Sequence, residues 1–195
     1  GGYVLGGYSK SVISGDKTEA CLGGYDYWIL KTDNLGNIQW QNTIGGSDAD
    51  YLTSIQQSSD GGYILGGYSK SYISGDKTEN LLGGYEYWIL KLDSQGVIQW
   101  QNTIGGSAYD VLYDAHQTPD GGFIIGGYSQ SGISGDKTEA TMGGADYWVI
   151  KLNHLGNIQW QNTIGGTGAE IVRKIILDTD GGYVVAGYST SRSEE

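Results

Sequence analysis

The sequence predicts an all-β protein assembled from small repeated antiparallel sheets, and three observations predict it. First, a segment of sixty residues recurs without gaps: "SKSVISGDKTEACLGGYDYW" (9–28) returns as "SKSYISGDKTENLLGGYEYW" and again as "SQSGISGDKTEATMGGADYW". Second, short runs rich in β-branched and aromatic residues are bounded by glycine clusters, as strands between turns are. Third, no helical spacing survives, because glycine interrupts every stretch where a three-to-four periodicity begins. The 35 glycines lack a three-residue period and accompany 12% aromatics, so collagen and disorder are both poor fits.

Each unit reads as four strands. "YLTSIQQSS" (51–59) passes through Asp60-Gly61-Gly62 into "YILGGYS" (63–69), a tight-hairpin signal because glycine supplies positive φ without a Cβ clash. After the long loop, "YEYWILKLD" (85–93) turns through "SQG" into "VIQWQNTIGG" (97–106), a second hairpin. In "IQWQNTI", Ile98, Trp100 and Ile104 alternate with Gln99, Gln101 and Thr103, the pattern of an outer strand with one wet face. "YWILKL" and "YILGGY" are apolar on both faces, as strands sandwiched between stacked sheets are.

A four-stranded sheet repeated at fixed period, with inner strands apolar on both sides, is the blade of a β-propeller-like array. One blade alone cannot bury its indoles. Trp28, Trp40, Trp88, Trp100, Trp148 and Trp160 are therefore expected to pack between blades. The whole chain, 1–195, reads as a single repeat domain of units 1–60, 61–120 and 121–180 with a partial unit 181–195. Because the Gly-Gly-Tyr strand occurs once more than the others, the expectation is about three blades plus an extra strand pair: an open arc, or part of a larger ring. An exposed end strand is a pairing site for another chain.

The order "DGGYILGGY", "YWILKLD", tight turn, "IQW" resembles the Kelch pattern. A closer likeness is to the repeats of secreted and surface-attached proteins of Bacteroidetes, carried here by Asp60–Tyr63, Gly83–Asp93 and Gly96–Gln101 and their counterparts. That resemblance implies propeller blades in a non-catalytic protein that is secreted or held at the cell surface.

Charge narrows the partners. At -11 formal charge, with 11 Lys and Arg and no basic cluster, nucleic acid and anionic membrane surfaces are disfavoured. No apolar run approaches membrane-spanning length and no signal peptide is read, so the chain is expected to be soluble as given, a mature product or an excerpt of something longer. Cys21 is replaced by Leu81 and Thr141 in the other copies, which marks a tolerated position.

Two sets of acids recur in place. Asp16, Glu19 and Asp26 become Asp76, Glu79 and Glu86, then Asp136, Glu139 and Asp146. A calcium ion in each blade would use such carboxylates with loop hydroxyls and carbonyls, although the spacing is not that of an EF-hand. The alternative is structural: Asp16 capping a turn, Lys17 pairing with Glu19 or a neighbour. A second set, Asp50, Asp110 and Glu170, opens the first strand of each unit; it orients the strand by accepting backbone amides or forms an axial site. That strand is the least repeated part of the unit, which disfavours a symmetric axial site.

No catalytic constellation assembles. His116 and His154 stand alone, and no nucleophile elbow, P-loop or His/Cys metal cluster is present, so no enzyme is expected. Two functions remain: a surface module whose repeated loops bind a glycan or protein multivalently, or a building block that self-assembles through open blade edges into oligomers or filaments.

Overall fold

The computed structural model describes residues 1–192. It is all-β, and its thirteen strands form four sheets in chain order. The first has three strands, β1 (Tyr3–Ser9), β2 (Asp26–Thr32) and β3 (Ile38–Ile44). Two complete blades follow: β4 (Asp50–Gln57), β5 (Tyr63–Ser69), β6 (Glu86–Leu92) and β7 (Ile98–Ile104), then β8 (Asp110–Gln117), β9 (Phe123–Ser129), β10 (Asp146–Leu152) and β11 (Ile158–Ile164). A pair, β12 (Glu170–Leu177) and β13 (Tyr183–Ser189), completes the array. The blades stack as an open arc.

All pairings are antiparallel meanders, and the glycines set their turns. Gly61 (φ 83) and Gly96 (φ 85) take the left-handed conformation where the two hairpins of the second blade reverse. The polarity patterns hold: every residue of β6 is buried, whereas outer β7 is mostly half-buried.

The core lies between blades. Trp88 and Trp148 are fully buried, each against a tyrosine of the preceding blade: Tyr27 to Trp88 at 4.9 Å between ring centroids, Tyr87 to Trp148 at 5.1 Å. Each tyrosine hydroxyl donates to the backbone carbonyl of that tryptophan, at 3.1 and 3.0 Å, so burial leaves no orphaned phenol. The outer-strand indoles reach forward instead, Trp40 to Tyr63, Trp100 to Phe123 and Trp160 to Tyr183. Blades approach closely at Gly66, where an added Cβ would lie 2.7 Å from Leu112 Cδ2 and 2.9 Å from Ala115 Cβ of the next inner strand. The position requires a residue without a side chain.

Candidate functional site

The recurring loop is a cover for the outer strand. Ser14 and Lys17 exchange backbone hydrogen bonds around Gly15 (φ 57) and Asp16, a two-residue hairpin with glycine at its first corner. The segment beyond lies along β3. The Thr18 N–H donates to Gln41 Oε1, Gln41 Nε2 donates to the Asp16 carbonyl, and the Thr43 N–H donates to Glu19. An outer strand with its Thr43 amide taken and a loop bound along it is a poorer template for a foreign strand.

Lys17 does not pair with Glu19. It turns inward, nearly buried, donates to the Thr43 hydroxyl and lies 5.5 Å from the Trp28 ring. Lys77 and Lys137 repeat this on Thr103 with Trp88 and on Thr163 with Trp148. The aliphatic stem packs where a carboxylate partner was expected, because the indole face and a hydroxyl receive the ammonium. Burial brings the Lys77 pKa down to about 8 against the opposing pull of Asp50, Glu86 and Glu79. Thr103→Val leaves that ammonium without its acceptor and is expected to cost about 2 kcal/mol of stability, read from the urea midpoint; an unchanged midpoint would show that the contact carries no weight.

The nine acids of the loops go to separate places. Asp76 Oδ2 accepts the Gly45 N–H of the preceding blade at 3.1 Å and Asp136 Oδ2 accepts that of Gly105 at 3.2 Å, while the Asp16 backbone carbonyl takes Gln41. Glu19, Glu79 and Glu139 accept the amides of Thr43, Thr103 and Thr163. Asp26, Glu86 and Asp146 accept the amides of Leu22, Leu82 and Met142 at the foot of the same loop. The three carboxylates of one loop share no centre, and among the described residues no group of three or more His, Cys, Asp or Glu side chains is placed to hold a metal ion. Acids of successive loops do come near one another: Glu79 and Asp136 line one cleft of about 330 Å³ with Asn102 and Asn157. Burial, and then the Glu79 charge, pushes the Asp136 carboxyl up.

The second acidic set orients the strand starts, as its position suggested. Asp50, Asp110 and Glu170 accept the amides of Gly46, Gly106 and Gly166, each at 2.7 Å. Each sits at a blade seam near a loop acid. A methyl on Gly165 would lie 2.0 Å from Asp146 Oδ1 and 2.7 Å from Glu170 Oε2, so the two carboxyls converge on that one point. Four oxygens at these seams, Oδ1 of Asp26, Asp50, Asp110 and Asp146, are buried without a partner. Burial raises the pKa of all four, because an ion in a dry seam loses its hydration.

At the same end of the blades runs a stripe of tyrosines that the repeat pattern concealed. Tyr8 meets Tyr25 at 5.4 Å and Tyr51 at 4.9 Å; Tyr51 meets Tyr68 at 5.1 Å; Tyr68 meets Tyr85 at 5.3 Å; Tyr85 meets Tyr109 at 5.8 Å. Tyr8 and Tyr109 are about half exposed and the rest partly so. Burial and the surrounding phenols push Tyr68 up to about 12, so the ring at the centre of the stripe is uncharged at neutral pH. The available signal was "GGYS" in the first three copies and "AGYS" in the last: alternation through "YILGGYS" puts Tyr68 with Ile64 and Gly66, away from Tyr63.

The inner strands carry a polar ladder. Asp114 accepts the Ile175 N–H at 2.7 Å, the Ser54 hydroxyl at 3.2 Å and the Lys174 ammonium, and it pairs with His116 Nε2 at 3.0 Å. Burial raises its pKa, but His116, the Ile175 amide and Lys174 outweigh that and hold it at about 2. No family model matches the chain, and no curated protein matches its sequence.

Proposed function

We infer that the protein is a non-catalytic binding module of the secreted or cell-surface kind, and that its tyrosine stripe is the face that takes a glycan. The observation that carries this reading is the run of partly exposed phenol rings at 4.9 to 5.8 Å spacing across successive blades. Tyrosine offers large, rigid contact area at low conformational cost, with a hydroxyl for hydrogen bonding at its tip. Sugar rings present the matching chemistry, a C–H face and a rim of hydroxyls. Repetition adds to it, since weak sites on neighbouring blades combine through effective concentration. The histidine supports a non-catalytic reading: the Ser54 hydroxyl addresses Asp114 rather than His116, so no base faces a nucleophile there.

The test uses substitutions that the repeats themselves tolerate. Tyr51 is Val111 in the next copy and Tyr85 is Ala145 in the third, so Tyr51→Val with Tyr85→Ala keeps the fold. In affinity electrophoresis through soluble polysaccharides, dextran and polygalacturonate among them, the parent chain is expected to be retarded and the double variant to lose at least tenfold in affinity with an unchanged melting temperature. Absence of retardation by any polysaccharide, or equal retardation of both proteins, would remove the glycan reading.

A further inference from the structure

The three inner strands share an irregularity. Each carries a β-bulge at the same place, where the pairing register steps past one residue: Thr53 in β4, Tyr113 in β8 and Arg173 in β12. A bulge leaves its extra residue outside the ladder and re-aims its side chain. The backbone device is constant, while the residue it presents changes from hydroxyl to aromatic to cation. The Thr53 hydroxyl is spent on the carbonyls of Gly66 and Leu112, at 3.0 and 2.9 Å.

Arg173 is different. Its guanidinium carbon lies 4.4 Å from the centroid of Tyr113 and 5.5 Å from that of Tyr188, and the residue is exposed. Among the described residues it pairs with no carboxylate, whereas its neighbour Lys174 is tied to Asp114. Of the other cations, Lys77 and Lys137 are buried, Lys91 and Lys151 hold Asp60 and Asp120 at 2.8 and 2.9 Å, and exposed Lys10 lies 5.4 Å from the Tyr25 centroid as an ammonium without the planar fork of a guanidinium. In a chain of net charge -11, Arg173 is thus a guanidinium stacked on phenol rings with no carboxylate partner among the described residues.

We propose that the cluster of Tyr113, Arg173 and Tyr188 binds a sugar ring that bears a carboxylate, the uronic acid unit of an acidic glycan. The planar fork of the guanidinium presents two parallel N–H donors that match a carboxylate. Stacking on the phenols fixes its plane, so less freedom is lost on binding. The half-exposed Tyr188 extends the flat surface on which the ring attached to that carboxylate rests. An acidic peptide supplies the charge without the ring, and so uses only half of the cluster. The overall negative charge repels a polyanion at long range, so any capture reports this local site. The proposal rests on the tyrosine face being the binding surface and narrows its ligand.

The experiment compares the parent chain with Arg173→Thr, the residue that the first repeat carries at the same bulge, with a thermal melt to verify folding. Each is run in affinity gels containing polygalacturonate, dextran or polyglutamate. Polygalacturonate is expected to retard the parent chain and to bind Arg173→Thr at least tenfold more weakly, with dextran behaving alike toward both and polyglutamate retarding neither. Equal retardation of the two proteins by polygalacturonate, or none, overturns the proposal, and polyglutamate binding as strong as polygalacturonate assigns the site to acidic peptides instead. If dextran is held through the tyrosines and polygalacturonate is not, this inference falls alone; if neither is held, the reading of the face falls with it.

Discussion

Trp88→Ala is expected to lower stability by about 3 to 5 kcal/mol, the usual range for removing a fully buried indole without collapse of the cavity. Trp88 belongs to a cluster with Tyr27, Ile29 and Ile44 of the first blade and Leu52, Leu65, Leu90 and Leu92 of the second, so the cavity opens at the seam between these two blades. The lost contacts include the ring stacking with Tyr27 and the platform beneath the Lys77 ammonium. Trp28 occupies the equivalent position in the first blade but is only half-buried, so Trp28→Ala is expected to cost distinctly less. Urea denaturation of the two variants checks this, with hydrogen exchange locating the loss of protection at β2 and β6. Equal costs for the two would mean that burial between blades is not what makes the indole matter.

Replacing Asp110 tests the acids at the seams. Its side chain is fully buried: Oδ2 accepts the Gly106 amide at 2.7 Å and the Ser131 hydroxyl at 3.0 Å, while Oδ1 has no partner. Asp110→Ala orphans both donors and is expected to cost about 2 to 3 kcal/mol at every pH. Asp110→Asn keeps an acceptor for them and removes the charge. Burial raises the pKa of Asp110 in the folded state, against the lowering influence of the nearby Ser129 hydroxyl, the hydrogen bonds from Gly106 and Ser131 and the attraction of Lys137. The folded chain therefore holds this proton more tightly than the unfolded one. The resulting stability is fully present below the unfolded carboxyl pKa of about 3.9 and is lost as pH rises through the folded value.

Glu86 is raised as well, first by its own burial and further by the Asp110 charge, so its contribution has the same sign. Asp60 acts oppositely: the Lys91 ammonium leads the interactions that hold it at about 2, so its contribution is lost on acidification. The diagnostic quantity is thus the difference between Asp110→Asn and the parent chain. Urea midpoints between pH 4 and 8 should show the asparagine variant gaining on the parent as pH rises. Parallel profiles would mean that Asp110 ionises in the fold as freely as in water.

The repeat carried much of this in plain view. The strand positions follow from glycine clusters and from alternation: outer β7 has a wet side because Gln99, Gln101 and Thr103 alternate with its apolar residues, and β6 is buried because neither of its sides is polar. Asp50 and Asp110 were legible as strand-start acids, since an aspartate four residues beyond a glycine can reach back to that glycine's amide. The loop was not legible in the same way. "SGDKTE" reads as solvated because its composition is polar, yet its lysine is buried under an indole and its glutamate covers the amide of an outer strand twenty-four residues away. Such long-range partners leave no local period.

The sequence by itself determined the all-β class, the sixty-residue unit, the order of strands within it and the burial of Trp88 and Trp148 between units, though not the half-buried Trp28 or the exposed Trp160, because these depend on periodicity and on how much apolar surface one sheet can hide. Only the tertiary structure decided where the loop acids point, that tyrosines from different repeats join into one stripe, and that a bulge lifts Arg173 onto Tyr113 and Tyr188. Those features arise from the stacking angle of neighbouring blades and from a one-residue step in register, quantities set by three-dimensional packing and invisible to the pattern along a single chain.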